Sequence, residues 1–200
     1  KVSNVRFSNV PAFLYARDVE LDHPDLGPIT FDIAYGGNFY PIVESQKNFR
    51  DCADYHPEEL RRMAQTLVRL LPQVVDVVHP ENPSIRGAHH TMWCGEPRTE
   101  GGDGRSVVIA TPKIIDRSPC GTGTSARVAQ RAARGLLKKG ETFVHESFIG
   151  TRFVGRVERE VRLSDGSPAV VPSIEGQAFI TGLSTHIVDR SHPFAEGFLT

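Results

Sequence analysis

Helical periodicity marks only two stretches of this 200-residue chain, and the residues around them read as short extended runs punctuated by glycine and proline. That distribution limits the fold more than any composition does. With so few helices to serve as crossovers, most neighbouring strands must pair antiparallel, which argues against a doubly wound parallel sheet. The first helix is predicted from Pro57, because Leu60, Met63, Ala64, Leu67, Leu70 and Leu71 recur on one helical face. Pro57 suits a first turn, Glu58 and Glu59 suit the positive dipole end, and Pro72 closes the element. The second is predicted from about Thr122 to Leu137, with small apolar residues on more than one face, as for a helix buried against a curved sheet. Lys138, Lys139 and Gly140 supply its stop.

Extended patterns cover Val5 to Phe13 and Ile29 to Tyr35, and Asn38 to Val43 follows the Gly36-Gly37 pair as the return arm of a hairpin. Strands are expected at Ser84 to Thr91 and Ser106 to Thr111, flanking a polar turn from Glu96 to Arg105 that reads as an exposed, mobile tip. Four more are expected at Thr142 to Glu146, Arg152 to Val161, Ala169 to Pro172 and Gly176 to Ile187. The fold class is therefore α/β of the α+β kind: mostly antiparallel strands around two helices.

A content of 39% hydrophobic and 24% charged residues allows one buried core or slightly more. The net charge of −1 argues against a nucleic-acid or membrane surface as partner, and no run reaches the roughly 18 apolar residues of a membrane span. Cys52, Cys94 and Cys120 are sparse, odd in number and without disulfide-framework spacing, as expected in a reducing cytoplasm. The chain opens on Lys1-Val2-Ser3 without an initiator methionine, and a removed upstream segment is expected.

The chemistry concentrates in Asp116-Arg-Ser-Pro-Cys120-Gly-Thr-Gly-Thr124, which sets one thiol at the mouth of the second helix. The N–H groups and positive dipole of a helix N-terminus favour a thiolate and equally suit a substrate carboxylate. Inverting an α-carbon without a cofactor needs one base on each face, and a thiol is suited to such proton exchange near neutral pH. Cys120 is the candidate acid/base. The amides of Gly121 and Thr122 would hold the carboxylate as charge develops on it, and glycines at 121 and 123 let that backbone approach closely. Asp116 could pair with a cationic group of a substrate, or could only cap its own loop.

Two rival readings use the same residues or their neighbours. Gly121-Thr-Gly123-Thr-Ser-Ala126 fits a dinucleotide fingerprint, with Glu141 at the expected offset, but a charged loop holding Pro112 and Pro119 separates it from the preceding strand. Cys52, His56, His89, His90 and Cys94 are chemically adequate for zinc, yet no Cys-x-x-Cys pair is among them. Neither a metal nor any cofactor is expected. Cys94-Gly95 lacks the threonine and helix that follow Cys120, so it is no second active thiol.

The Asp116 to Thr124 motif resembles the second active-site motif of the proline racemase family, which includes 4-hydroxyproline epimerases and trans-3-hydroxyproline dehydratases. Phe7 to Leu14, Phe31 to Tyr40, His145 to Phe153 and Gly176 to Gly182 are similar to other blocks of that family. The resemblance implies a diaminopimelate-epimerase-like half-barrel, with the active site in a cleft between two such domains. It assigns Cys120 an acid/base role and Asp116 a substrate contact. It also implies a first half, carrying a Cys-Gly-His type motif and the other catalytic residue, that this chain lacks. Residues 1–22 would then be an inter-domain segment or a strand of that missing domain, 23–185 the second catalytic domain, and 186–200 a segment packing on the first.

The expected function is epimerisation of 4-hydroxyproline by two bases, with the absent domain as partner. Proline racemisation and 3-hydroxyproline dehydration are alternatives, and a homodimer supplying the second face is another arrangement. In a different class, the chain would be a carboxylate-binding domain inactive on its own. Cys120 disfavours the dehydratases that carry threonine at this position. Where proline racemases tend to place phenylalanine, ten residues before the cysteine, this chain has Ala110, which leaves room for a ring hydroxyl.

Overall fold

The computed structural model describes residues 3–110 and 114–197. Twelve strands are described: β1 (Val5–Ser8), β2 (Phe13–His23), β3 (Gly27–Tyr35), β4 (Phe39–Val43), β5 (Val78–His79), β6 (Asn82–Arg86), β7 (Thr91–Gly95), β8 (Gly104–Ala110), β9 (Ile114–Ile115), β10 (Thr142–Glu146), β11 (Arg152–Arg162) and β12 (Pro168–Gly176). The helices are α1 (Pro57–Leu70) and α2 (Gly121–Ala133). All strands but β5 and β6 form one sheet in the order β1-β12-β11-β10-β8-β7-β4-β3-β2, with β9 paired to β8. Among the described strands only β4 with β7 and β8 with β10 run parallel, so the sheet is mostly antiparallel, as the scarcity of helices requires.

Helix α2 touches β2, β3 and β4 from one end of this order and β11 and β12 from the other, so the sheet curls around it. Ala12 and Val170 join the two ends by a reciprocal pair of 2.8 Å backbone hydrogen bonds. The small residues predicted on several faces of α2 explain this fit: Ala126, Val128 and Ala129 are buried in two clusters on different parts of the sheet. The apolar stripe of α1 covers the other face, where Leu60, Met63, Ala64 and Leu67 join Trp93, Val107 and Ile109 in the main core. His56 caps α1 in a capping box with Glu59.

Several elements differ from the sequence reading. Eleven-residue β2 escaped it, because irregularities at Leu14 to Val19 and a positive φ of 53° at Asp18 interrupt its alternation. The strand expected over Ser84 to Thr91 is two: Gly87, at φ 73°, ends the β5–β6 ribbon, and β7 begins only at Thr91. Arg105 belongs to β8 rather than to the polar turn, buried and 2.7 Å from Asp51. The turn itself is fastened, since Glu146 accepts hydrogen bonds from the Arg98 and Thr99 amides at 2.8 and 3.0 Å.

Helix α2 stops before Leu137. Gly135 takes φ 73°, its amide bonds to Ala132 and the Leu136 amide returns to Arg131, a Schellman stop one turn ahead of Gly140. No strand runs from Gly176 to Ile187: β12 ends at Gly176, and Ile180, Leu183 and Ile187 are exposed on a segment that pairs with no strand among the described residues. Thr111 and Pro112, expected to end a strand and open the charged loop, lie outside the described residues.

Candidate active site

Cys120 is the N-cap of α2, so the three candidate substrate-holding groups lie within a few residues of it by virtue of where the helix starts. Its backbone is unusual: φ 66° and ψ 123°, a conformation that favours glycine. The turn is built from the sequence up. Asp116 Oδ1 accepts from the Ser118 amide at 3.0 Å and from its hydroxyl at 2.9 Å, and Ser118 Oγ in turn accepts from the Cys120 amide at 3.1 Å. Asp116 therefore does cap its own loop, whatever else it binds.

The Gly123 amide donates to Cys120 Sγ at 3.4 Å. The amides of Gly121 and Thr122 have no hydrogen-bond partner among the described residues, and a Cβ placed at Gly121 would meet only the ring of Phe7, at 3.8 Å. These are the open donors of a helix start, in a position to take an anion. Gly36 lets the β3–β4 hairpin press against the same turn. A Cβ there would lie 2.3 Å from the Thr122 carbonyl oxygen and 2.4 Å from the Ala126 nitrogen. Asn9 fastens the contact, donating to the Gly36 carbonyl at 3.0 Å and to Ser125 Oγ at 2.8 Å.

Sequence reasoning missed three side chains at this turn. Tyr40, buried on β4, sets its hydroxyl 3.3 Å from Cys120 Sγ and 2.6 Å from Thr122 Oγ1. Thr124 and His145 contact each other at 2.9 Å below the loop, and Thr124 donates to the Pro119 carbonyl at 3.2 Å. Burial, and then the charge of Cys120, hold the Tyr40 phenol well above the usual tyrosine range. Burial, followed by Arg127 and Arg131, keeps His145 well below the usual histidine range. For Tyr40 and His145 the one signal was their place inside the Phe31 to Tyr40 and His145 to Phe153 blocks, while Thr124 stands in the cysteine motif itself; neither spacing nor periodicity brings residue 40 to residue 120.

The other two thiols are unlike Cys120. Both are buried, with burial pushing Cys52 up to about 11 and Cys94 far above its ordinary value. No three His, Cys, Asp or Glu side chains among the described residues are grouped to hold a metal ion. His56 serves α1, and the ring of His90 stacks on Tyr40 at 5.3 Å. Nor does α2 follow a parallel strand as a dinucleotide site requires, since the short strand before it is β9, antiparallel to β8. A cavity of about 600 Å³ near the C-terminal half of α2, among Ala12, Ala129, Leu137 and Val157, is remote from this chemistry and offers no thiol.

Residues 1–199 match a family model described as proline racemase. A 4-hydroxyproline epimerase of Brucella ovis is 51% identical over 197 residues, 98% of this chain and 59% of that protein. The chain thus spans about three fifths of the length of such curated relatives. Among solved structures, a hydroxyproline epimerase from Agrobacterium vitis with bound trans-4-hydroxy-L-proline gives a TM-score of 0.81 at 32% identity, over 99% of this chain and 56% of that one. A probable proline racemase from Agrobacterium radiobacter K84 with bound carbonate gives 0.80 at 35%, over 99% and 57%.

Proposed function

The chain belongs to the proline racemase family, and from that premise we propose that it forms the half of a 4-hydroxyproline epimerase that carries one acid/base thiol and the carboxylate cradle. The observation that carries this reading is the juxtaposition of Cys120 Sγ with the open amides of Gly121 and Thr122 at one helix start. A thiolate at Cys120 takes the proton from one face of the α-carbon. The electron pair left behind spreads into the substrate carboxylate, where the two amides and the helix dipole oppose the growing charge. Asp116 pairs with the ring ammonium through the carboxylate oxygen its loop does not use. A second base, from a residue outside these 200, returns a proton to the opposite face, so the reaction is balanced without any cofactor.

The preference for a hydroxylated ring rests on Ala110, at the end of β8, and on the relatives named above. The test is α-proton exchange in heavy water with the full-length protein. Deuterium should enter trans-4-hydroxy-L-proline faster than L-proline, and Cys120→Ser should abolish it. Faster turnover of L-proline would overturn the substrate, and exchange that survives Cys120→Ser would overturn the role of the thiol.

A further inference from the structure

Sγ of Cys120 lies 3.3 Å from the Tyr40 hydroxyl and 3.6 Å from Thr122 Oγ1, and the two hydroxyl oxygens are 2.6 Å apart. A base in a racemase must be both ionised and neutral within each turnover, so its hydrogen-bond partners must suit both states. We propose that Tyr40 and Thr122 form a reversible hydroxyl chain that serves Cys120 as thiolate and as thiol without moving a heavy atom. This makes Tyr40 a further catalytic residue, and it rests on the acid/base role of Cys120 given above.

The proton positions follow from what each atom can do. A thiolate only accepts, so Thr122 donates to the Tyr40 oxygen and Tyr40 donates to Sγ. Once the sulfur holds the α-proton, the S–H donates to the Tyr40 oxygen and the phenol turns to Thr122 Oγ1. Each hydroxyl keeps its own proton, and the proton taken from the substrate remains on sulfur. Only the sense of the chain reverses.

Tyr40 is placed for this task. It is buried on β4, with its ring held flat against His90 at 5.3 Å and an interplanar angle of 28°. Burial first, and then the Cys120 charge, keep the phenol protonated across the working pH range. The other titratable groups around the chain are Asp116 in the preceding loop, His90 behind the Tyr40 ring, and His145, which reaches the loop through Thr124. His90 is held below the usual histidine range by burial and then by His89. None of the three hydrogen-bonds to Sγ among the described residues.

The experiment is the pH dependence of iodoacetamide alkylation at Cys120 in the full chain, read by mass spectrometry on the tryptic peptide Ser118–Arg127. Tyr40→Phe keeps the ring and removes the hydroxyl donor to the thiolate, leaving the Gly123 amide. Its alkylation midpoint should rise by about one pH unit. Thr122→Val leaves the buried phenol no acceptor but Sγ, which disfavours the thiol, so its midpoint should fall. Unchanged midpoints, or shifts of the same sign in both variants, overturn the chain. Should Tyr40→Phe lose its far-UV helix signal, Thr122→Val decides alone, a fall supporting the chain and any other result overturning it. Surviving proton exchange in Cys120→Ser would instead remove the acid/base role, whatever the alkylation midpoints.

Discussion

His145 Nδ1 lies 2.9 Å from Thr124 Oγ1, and the contact fixes which ring nitrogen carries the proton. The Thr124 hydroxyl donates to the Pro119 carbonyl at 3.2 Å, so toward the imidazole it must accept. Nδ1 therefore bears the hydrogen, and Nε2 accepts from Ser106 Oγ at 2.7 Å. A neutral, fully buried imidazole thus ties β8 and β10 to the residue just before Cys120. The arrangement holds the loop from below, much as Gly36 and Asn9 hold it from the hairpin side.

Neutral burial of His145 makes stability depend on pH. Its pKa in the folded protein is lowered, so below about 6.5 the unfolded chain binds a proton that the folded one refuses. Stability should fall with decreasing pH by up to about 1.4 kcal/mol per unit for this group until the folded value is reached. His79 and His90 are also lowered, chiefly by burial, and add the same sign. His145→Asn keeps a donor toward Thr124 but cannot titrate. Urea unfolding at pH 7.5, 6 and 5 should show the variant with a slope shallower by about one proton; equal slopes would refute the assignment.

Asp32 gives an acid counterpart at the far end of α2. Its carboxylate accepts from Arg134 Nε at 2.6 Å, from Gln130 at 2.8 Å and from the Asp18 amide at 3.0 Å. Burial alone would raise its pKa, but Arg134, Gln130 and the Asp18 amide outweigh it and the net shift is downward. The stabilisation is complete above the unfolded value and lost as pH falls through the lower, folded one. Asp32→Ala removes the main acceptor of Arg134 Nε and of Gln130, while Arg134 keeps Asp18, and should cost about 2 kcal/mol, read as a lower urea midpoint at pH 7.

Gly36→Ala tests how closely the hairpin and the Cys120 turn are fitted. Its added methyl would stand 2.3 Å from one backbone atom of α2 and 2.4 Å from another, so the helix start itself must move. Overpacking of this kind costs about 1–3 kcal/mol, and a displacement of the thiol by about 1 Å can cost on the order of a hundredfold in rate. Proton exchange should therefore fall far more than the melting temperature does. A variant that is destabilised yet exchanges at the parent rate would show that the hairpin does not set the position of Cys120.

How much of this was legible in the sequence depends on range. The faces of α1, the β3–β4 hairpin and the full extent of β10 are encoded by neighbours three, four or two residues apart, and periodicity recovers them. Asp116, Cys120, Gly121 and Thr122 share one loop, so the motif shows them together before any fold is known. Tyr40 and His145 reach that loop only through the pairing of β4 with β7 and of β10 with β8, which no local pattern specifies. The early end of α2 is hidden in the sequence for another reason. The lysines and Gly140 are an equally good stop, and the choice of Gly135 depends on Leu137 turning into the cluster around Val128 and Phe143.

The backbone of Cys120 carries the last prediction. At φ 66° and ψ 123° a side chain is disfavoured, and residues held in such regions cost about 1–3 kcal/mol each. What the conformation achieves is geometric: it aims Sγ back across the first turn, where the Gly123 amide meets it at 3.4 Å and Tyr40 at 3.3 Å. If the thiol is retained there against the preference of its own backbone, removing the side chain should relieve the fold while destroying the site. Cys120→Ala deletes Sγ but keeps Cβ, whereas Cys120→Gly deletes both. Both should lose proton exchange, but the glycine variant should be more stable than the alanine variant by about 1 kcal/mol, or roughly 2–4 °C in melting temperature for a chain of this size. Cys120→Ser, which keeps Cβ and a polar atom, should melt with the alanine variant rather than with the glycine one. A glycine variant less stable than alanine would mean that the turn is unstrained and that its shape is set by the loop alone.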